Sequence, residues 1–123
     1  MAQHVTQSQY VWNSQTIIAD DTPSGIIAVD AVIEGRLYIE ADVEAGTWTP
    51  KVQVENPKTG TWIDRTGITF TAMTATGGPE SDGLNQKETV SLTNLGGRMR
   101  LVLNVTGAPS PSIILTAVWE GKS

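Results

Sequence analysis

Residues 96–121, Gly96-Gly97-Arg98-Met99-Arg100-Leu101-Val102-Leu103-Asn104-Val105-Thr106-Gly107-Ala108-Pro109-Ser110-Pro111-Ser112-Ile113-Ile114-Leu115-Thr116-Ala117-Val118-Trp119-Glu120-Gly121, decide the fold. Two apolar runs flank a turn rich in Gly, Pro and Ser. In the first, Met99, Leu101, Leu103 and Val105 recur every second residue; in the second, Ile113, Leu115, Ala117 and Trp119 do the same. A period of two is the mark of a strand with one buried face. The two prolines stiffen the connection and lower its entropy cost. The second run is apolar on its other face too, at Ile114 and Val118, so that face is covered by more of the chain or touches another subunit.

The same rhythm extends towards the N-terminus. In Arg36–Val43, Leu37, Ile39, Ala41 and Val43 share one face, with Arg36, Glu40 and Asp42 on the other. Lys51–Glu55, the turn Asn56-Pro57-Lys58-Thr59-Gly60 and the returning Thr61-Trp62-Ile63 form a hairpin. Strands are predicted at 10–19, 25–33, 36–43, 48–55, 61–65, 68–74, 87–93, 98–105 and 112–120. Short Val-, Ile- and Thr-rich runs spaced about ten residues apart predict an all-β antiparallel sandwich, jelly-roll-like or Ig-like, of about eight or nine strands. At 123 residues the chain is one domain, 10–123, preceded by a polar, Gln-rich flexible arm, 1–9. Thr76–Gln86, dense in Gly, Pro and small polar residues, is expected to be a long mobile loop.

Composition narrows the chemistry. The chain has no Cys, which removes disulfides, thiol nucleophiles and Cys-ligated metals. Its N-terminus lacks a secretory pattern and its apolar runs are too short for a membrane span, so a soluble protein made in the cytoplasm, with no membrane partner, is expected. Net charge is −5, with seven acids and one base in residues 1–44, which disfavours nucleic acid as a partner.

The residues that normally carry catalysis are sparse. His4 is the single histidine and lies in the arm, where no relay partner can fix its imidazole. Glu40 and Asp42 sit on a solvated strand face, not as a facing carboxylate pair. Asp20-Asp21 before Thr22-Pro23-Ser24-Gly25 are turn residues with weak calcium potential. Gly77-Gly78-Pro79 and Gly96-Gly97 lack the Lys-Ser/Thr and helix of a phosphate cradle. Asn104-Val105-Thr106 fits a glycosylation sequon but lies on a strand of a protein with no secretory pattern. No cofactor, metal or enzymatic activity is expected. Of the four tryptophans, Trp62 and Trp119 are expected to be buried, and Trp12 and Trp48 to offer contact surface.

The ending Gly97–Ser112, a glycine, a basic-apolar strand, Thr-Gly and Pro-Ser before a second apolar strand, resembles small β-sandwich capsid decoration (cement) proteins of tailed bacteriophages. The resemblance covers the last 30 or so residues, together with size and the lack of Cys. It implies a non-enzymatic virion protein on the capsid exterior, bound to the major capsid protein, often as a homo-oligomer (dimer or trimer), that stabilises the shell by bridging subunits. The expected contact elements are residues 1–12, the Thr76–Gln86 loop and an apolar patch, with Tyr10, Trp12, Trp48, Ile114 and Val118 as contact residues. A carbohydrate- or receptor-binding module of a phage tail or fibre is the alternative, since exposed tryptophans on a sandwich could stack on sugar rings.

Overall fold

Alternation of apolar and polar side chains resolves into strands wherever a neighbouring ladder satisfies the backbone. The computed structural model describes residues 6–28, 34–68, 70–74, 86–93 and 97–122. Its strands are β1 (Thr6–Ile17), β2 (Thr22–Pro23), β3 (Ile27–Ala28), β4 (Glu34–Ala45), β5 (Thr47–Glu55), β6 (Trp62–Asp64), β7 (Gln86–Thr93), β8 (Arg98–Thr106) and β9 (Ser112–Lys122). There is no helix among the described residues. One antiparallel sheet runs β1-β9-β4-β7 and the other β2-β8-β5-β6, with β3 also on β8. Because β2 and β3 are one strand interrupted at residues 24–26, the architecture is eight strands in two sheets of four. The pairing nests: β1 with β9, β2 and β3 with β8, β4 with β7, β5 with β6. Of the two sandwich types expected, this order is that of a jelly roll.

The two C-terminal runs do not pair with each other. β8 lies on β5, while β9 lies between β1 and β4. Residues 107–111 carry the chain from one sheet to the other, so Met99, Leu101 and Leu103 face Ile113, Leu115, Ala117 and Trp119 across the core. All seven are buried, and each large side chain removed from water is worth roughly 2 kcal/mol. The β4–β5 crossing is tighter: Gly46, at φ +95, is its one residue, and a Cβ there would sit 2.8 Å from a Val105 methyl. Gly35 is a second forced glycine, since a Cβ would lie 2.0 Å from the Trp119 ring. The indole fills the space that the missing side chain leaves.

The expected hairpin is present. Asn56 donates its N–H to the Thr61 carbonyl and accepts from the Gly60 N–H, both at 2.8 Å. Other expectations need correction. Residues 6–9 are not a free arm: Thr6 to Gln9 pair with Lys122 to Trp119, because β9 is long enough to offer backbone partners. β1 is an edge strand of its sheet. The rest of the arm, 1–5, lies outside the described residues, as do 29–33 and most of the 76–86 loop; Gln86 already belongs to β7. Among the described residues of 68–74 there is no strand, only a bridge between Met73 and Trp48. Phe70 and Met73 turn inward there to close the core. Thr22–Pro23, left between the strands predicted at 10–19 and 25–33, forms β2 at a sheet edge, where proline is tolerated.

Candidate functional site

The outward face of the four-stranded sheet carries an apolar row where polar residues would be usual. Register places Tyr10, Val118, Tyr38 and Thr89 side by side across β1, β9, β4 and β7. A second row sets Thr16, Ile114 and Asp42 together. Tyr10 is 60% exposed and Ile114 36%, while Val118 and Tyr38 are half-buried by their neighbours. Ile18, just past β1, is 68% exposed. The Tyr38 hydroxyl donates to Glu120 Oε1 at 3.3 Å, which pins the ring across the sheet. Carboxylates of Glu40, Asp42 and Glu44 rim the face on β4, and Glu44 accepts from the Ser112 hydroxyl.

β1 owes its geometry to two bulges. Tyr10 faces Val118, yet Trp12 faces Ala117, leaving Val11 as an extra residue; a second irregularity follows between Trp12 and Gln15. Simple alternation would set Trp12 opposite Thr116, on the outward face with Tyr10. One inserted residue sends it inward instead. Ser14, at φ 47, forms part of the second bulge, and its N–H donates to Thr116 Oγ1 at 3.0 Å.

The expected contact residues therefore separate. Tyr10, Val118 and Ile114 lie together on this face. Trp12 does not, being 8% exposed in the core because of the bulge. Trp48 does not either: it is fully buried, shares the inward face of β5 with Val52, and donates Nε1–H to the Ala45 carbonyl at 2.9 Å. Trp119 is buried as expected. Trp62 is half-buried on the other sheet, with the Arg100 guanidinium 4.4 Å above its ring. That cation occupies a ring face a sugar would need. Tyr38 was missed, although alternation with Arg36 and Glu40 places it outward.

Among the described residues, recesses border the four-stranded sheet. One of about 210 Å³ is formed by Ser8, Gln9, Tyr10 and Val118. One of about 400 Å³ lies at the sandwich edge between Trp12, Ile17, Ile18 and Pro23, and no acid, amine or imidazole lines it. A third, of about 130 Å³, holds Glu34 and Glu120 beside Arg36. It is smaller than the roughly 300 Å³ at which small-molecule sites begin.

Asp20 and Asp21 hold the fold. Asp20 accepts the Val105 N–H at 2.8 Å and the Asn104 amide at 3.3 Å, and Asn104 also donates to Asp21. The Val105 N–H first, then the Asn104 amide, hold the Asp20 carboxyl below its usual range. This pair ties the β1–β2 connection to β8. Among the described residues no group of His, Asp and Glu side chains is placed to hold a metal ion.

Fold and face together define a jelly-roll sandwich with an apolar outer surface on one sheet. A solved structure shares that fold: the crystal structure of the SPBc2 prophage-derived protein YomS matches with a TM-score of 0.59 over 100% of this chain and 97% of that chain, at 14% identity. No family model and no curated protein sequence matches the chain.

Proposed function

We propose that this chain is a structural protein of a phage particle, without catalytic activity, that adds to the exterior of the assembled capsid shell through the outward face of its four-stranded sheet. The observation that carries the reading is the row Tyr10–Val118–Tyr38 with Ile114 beside it. An exposed Tyr10 continued by half-buried Val118 and Tyr38 across three strands of a stiff sheet suits a protein partner. The carboxylate rim suits a partner edge bearing Lys or Arg. The fold shared with a prophage-derived protein supports a phage setting, and the non-catalytic reading rests on how Asp20, Asp21, Glu55 and Asp64 are used, as hydrogen-bond acceptors within the fold. The major capsid protein is the partner, and many copies on one shell turn modest contacts into firm attachment.

Co-sedimentation tests this. Empty shells assembled from the major capsid protein of the same genome are expected to carry the chain down saturably. Tyr10→Asp combined with Val118→Asp is expected to weaken retention at least tenfold, about 1.4 kcal/mol. A chain that stays in the supernatant overturns the proposal. So does a saturable tryptophan-fluorescence shift with glycans in the absence of shell binding, which would assign the fold to receptor recognition.

A further inference from the structure

Four strand edges border the two sheets, and three are guarded against pairing with another chain. β6 is three residues long. The β2/β3 edge is broken at residues 24–26 and includes Pro23, which has no N–H to offer. β7 carries Lys87 and Glu88 in its sequence. Short, interrupted and charged edges are the means by which sheets avoid joining.

β1 lacks these guards over its first half. Its bulges fall after Tyr10, where they twist the strand, whereas Thr6 to Tyr10 pair regularly with β9. Among the described residues nothing pairs with the other side of this stretch. β1 contains neither proline nor any charged residue. Indeed none of residues 1–19 is Asp, Glu, Lys or Arg, in a chain of net charge −5.

Charge identifies the occupant. A second copy brings the same −5, and like-charged surfaces repel except where both are neutral. A neutral edge with open backbone groups is thus the surface on which this acidic protein meets itself at least cost. Antiparallel pairing of a strand with its own copy is also two-fold symmetric, so it closes at two subunits. The stretch Thr6–Tyr10 has its midpoint at Ser8. A two-fold axis there sets Thr6 against the partner's Tyr10 and Gln7 against the partner's Gln9.

We infer that two copies pair antiparallel through Thr6–Tyr10 of β1, about a two-fold axis at Ser8, and join their four-stranded sheets into one of eight strands. This holds independently of capsid binding, since it rests on the edge and its charge. Sedimentation equilibrium of the full chain is expected to give about twice 13.1 kDa. Ser8→Lys and Ser8→Glu place like charges against each other across the axis, and each is expected to weaken the dimer at least tenfold. Mixing the two variants sets opposite charges together and restores it.

Ser8→Cys adds a thiol to a chain that has none, and directly opposed strand residues lie within disulfide reach. Mild oxidation is expected to link that variant as a dimer, while Ser110→Cys, exposed on the β8–β9 crossing, stays unlinked. A wild-type chain that is monomeric or trimeric overturns the inference. So does a dimer that both charge variants leave intact.

Discussion

On the sheet of β5, β6 and β8 the outward side chains close on one another; on the sheet of β1, β9 and β4 they do not. In the first, Gln53 donates to Asp64 and accepts from Arg100, both at 2.9 Å, and Lys51 reaches Asp64 at 3.2 Å. Arg98 pairs with Glu55 at 3.1 Å, and Arg100 roofs Trp62. In the second, Tyr38 meets Glu120, but Val118 and Ile114 are apolar and the Tyr10 hydroxyl has no hydrogen-bond partner among the described residues. Both faces rest on the same alternation, so the difference lies in what register sets opposite what. Long polar side chains placed across from each other satisfy themselves, whereas an apolar row can be covered further only by another surface.

The comparison is broken most severely from beneath. Gly35→Ala drives a methyl into the Trp119 ring, which braces the open face from inside, and is expected to cost about 3 kcal/mol, read as a lower denaturant midpoint. Shell retention should fall with the folded fraction. On the closed face, Arg100→Ala removes the Trp62 contact and the Gln53 hydrogen bond, about 1.5 kcal/mol together, with shell retention of the folded protein unchanged.

Tyr10→Ser on the open face sharpens the contrast. Stability should stay within about 0.5 kcal/mol of wild type by chemical denaturation, while shell retention drops. Equal loss of retention from Arg100→Ala would erase the distinction between the faces.

The smallest effect is in acid, because Asp20 and Asp64 are both open to solvent. Asp64 is held below the ordinary 3.8 chiefly by the Gln53 amide and then by Lys51, Asp20 chiefly by the Val105 N–H. A carboxyl whose folded pKa is depressed stabilises the fold above its unfolded value and loses that contribution as pH falls through the folded one. The thermal midpoint should therefore decline as pH drops below about 3.8, and Asp64→Asn should flatten part of that decline. An unchanged slope in the variant would remove Asp64 from the account.

Much of the body was legible in the linear pattern. Alternation at 36–43, 98–105 and 112–120 marks the faces that fill the core, and Asn56–Gly60 marks its own hairpin. Alternation set Ile114 and Val118 on the second face of their strand, and Tyr10 entered with the contact element 1–12; the sheet register brings the three onto one face. Trp12 was misplaced because the extra residue Val11 reverses the alternation, and nothing in Gln9-Tyr10-Val11-Trp12 announces it. Trp48 was within reach: it shares parity with Val52, though the Met73 bridge that closes over it comes from 25 residues further on.

By itself, the sequence of this protein determined the paired faces of the strands at 36–43, 98–105 and 112–120 and the lack of Asp, Glu, Lys and Arg in residues 1–19, since these follow from side-chain identity and a period of two. Tertiary structure alone decided that β8 and β9 belong to opposite sheets, that Trp12 turns inward, and that Tyr10, Val118 and Tyr38 meet in one row. Those outcomes depend on the hydrogen-bond register between segments, in one case more than a hundred residues apart, which no local pattern encodes.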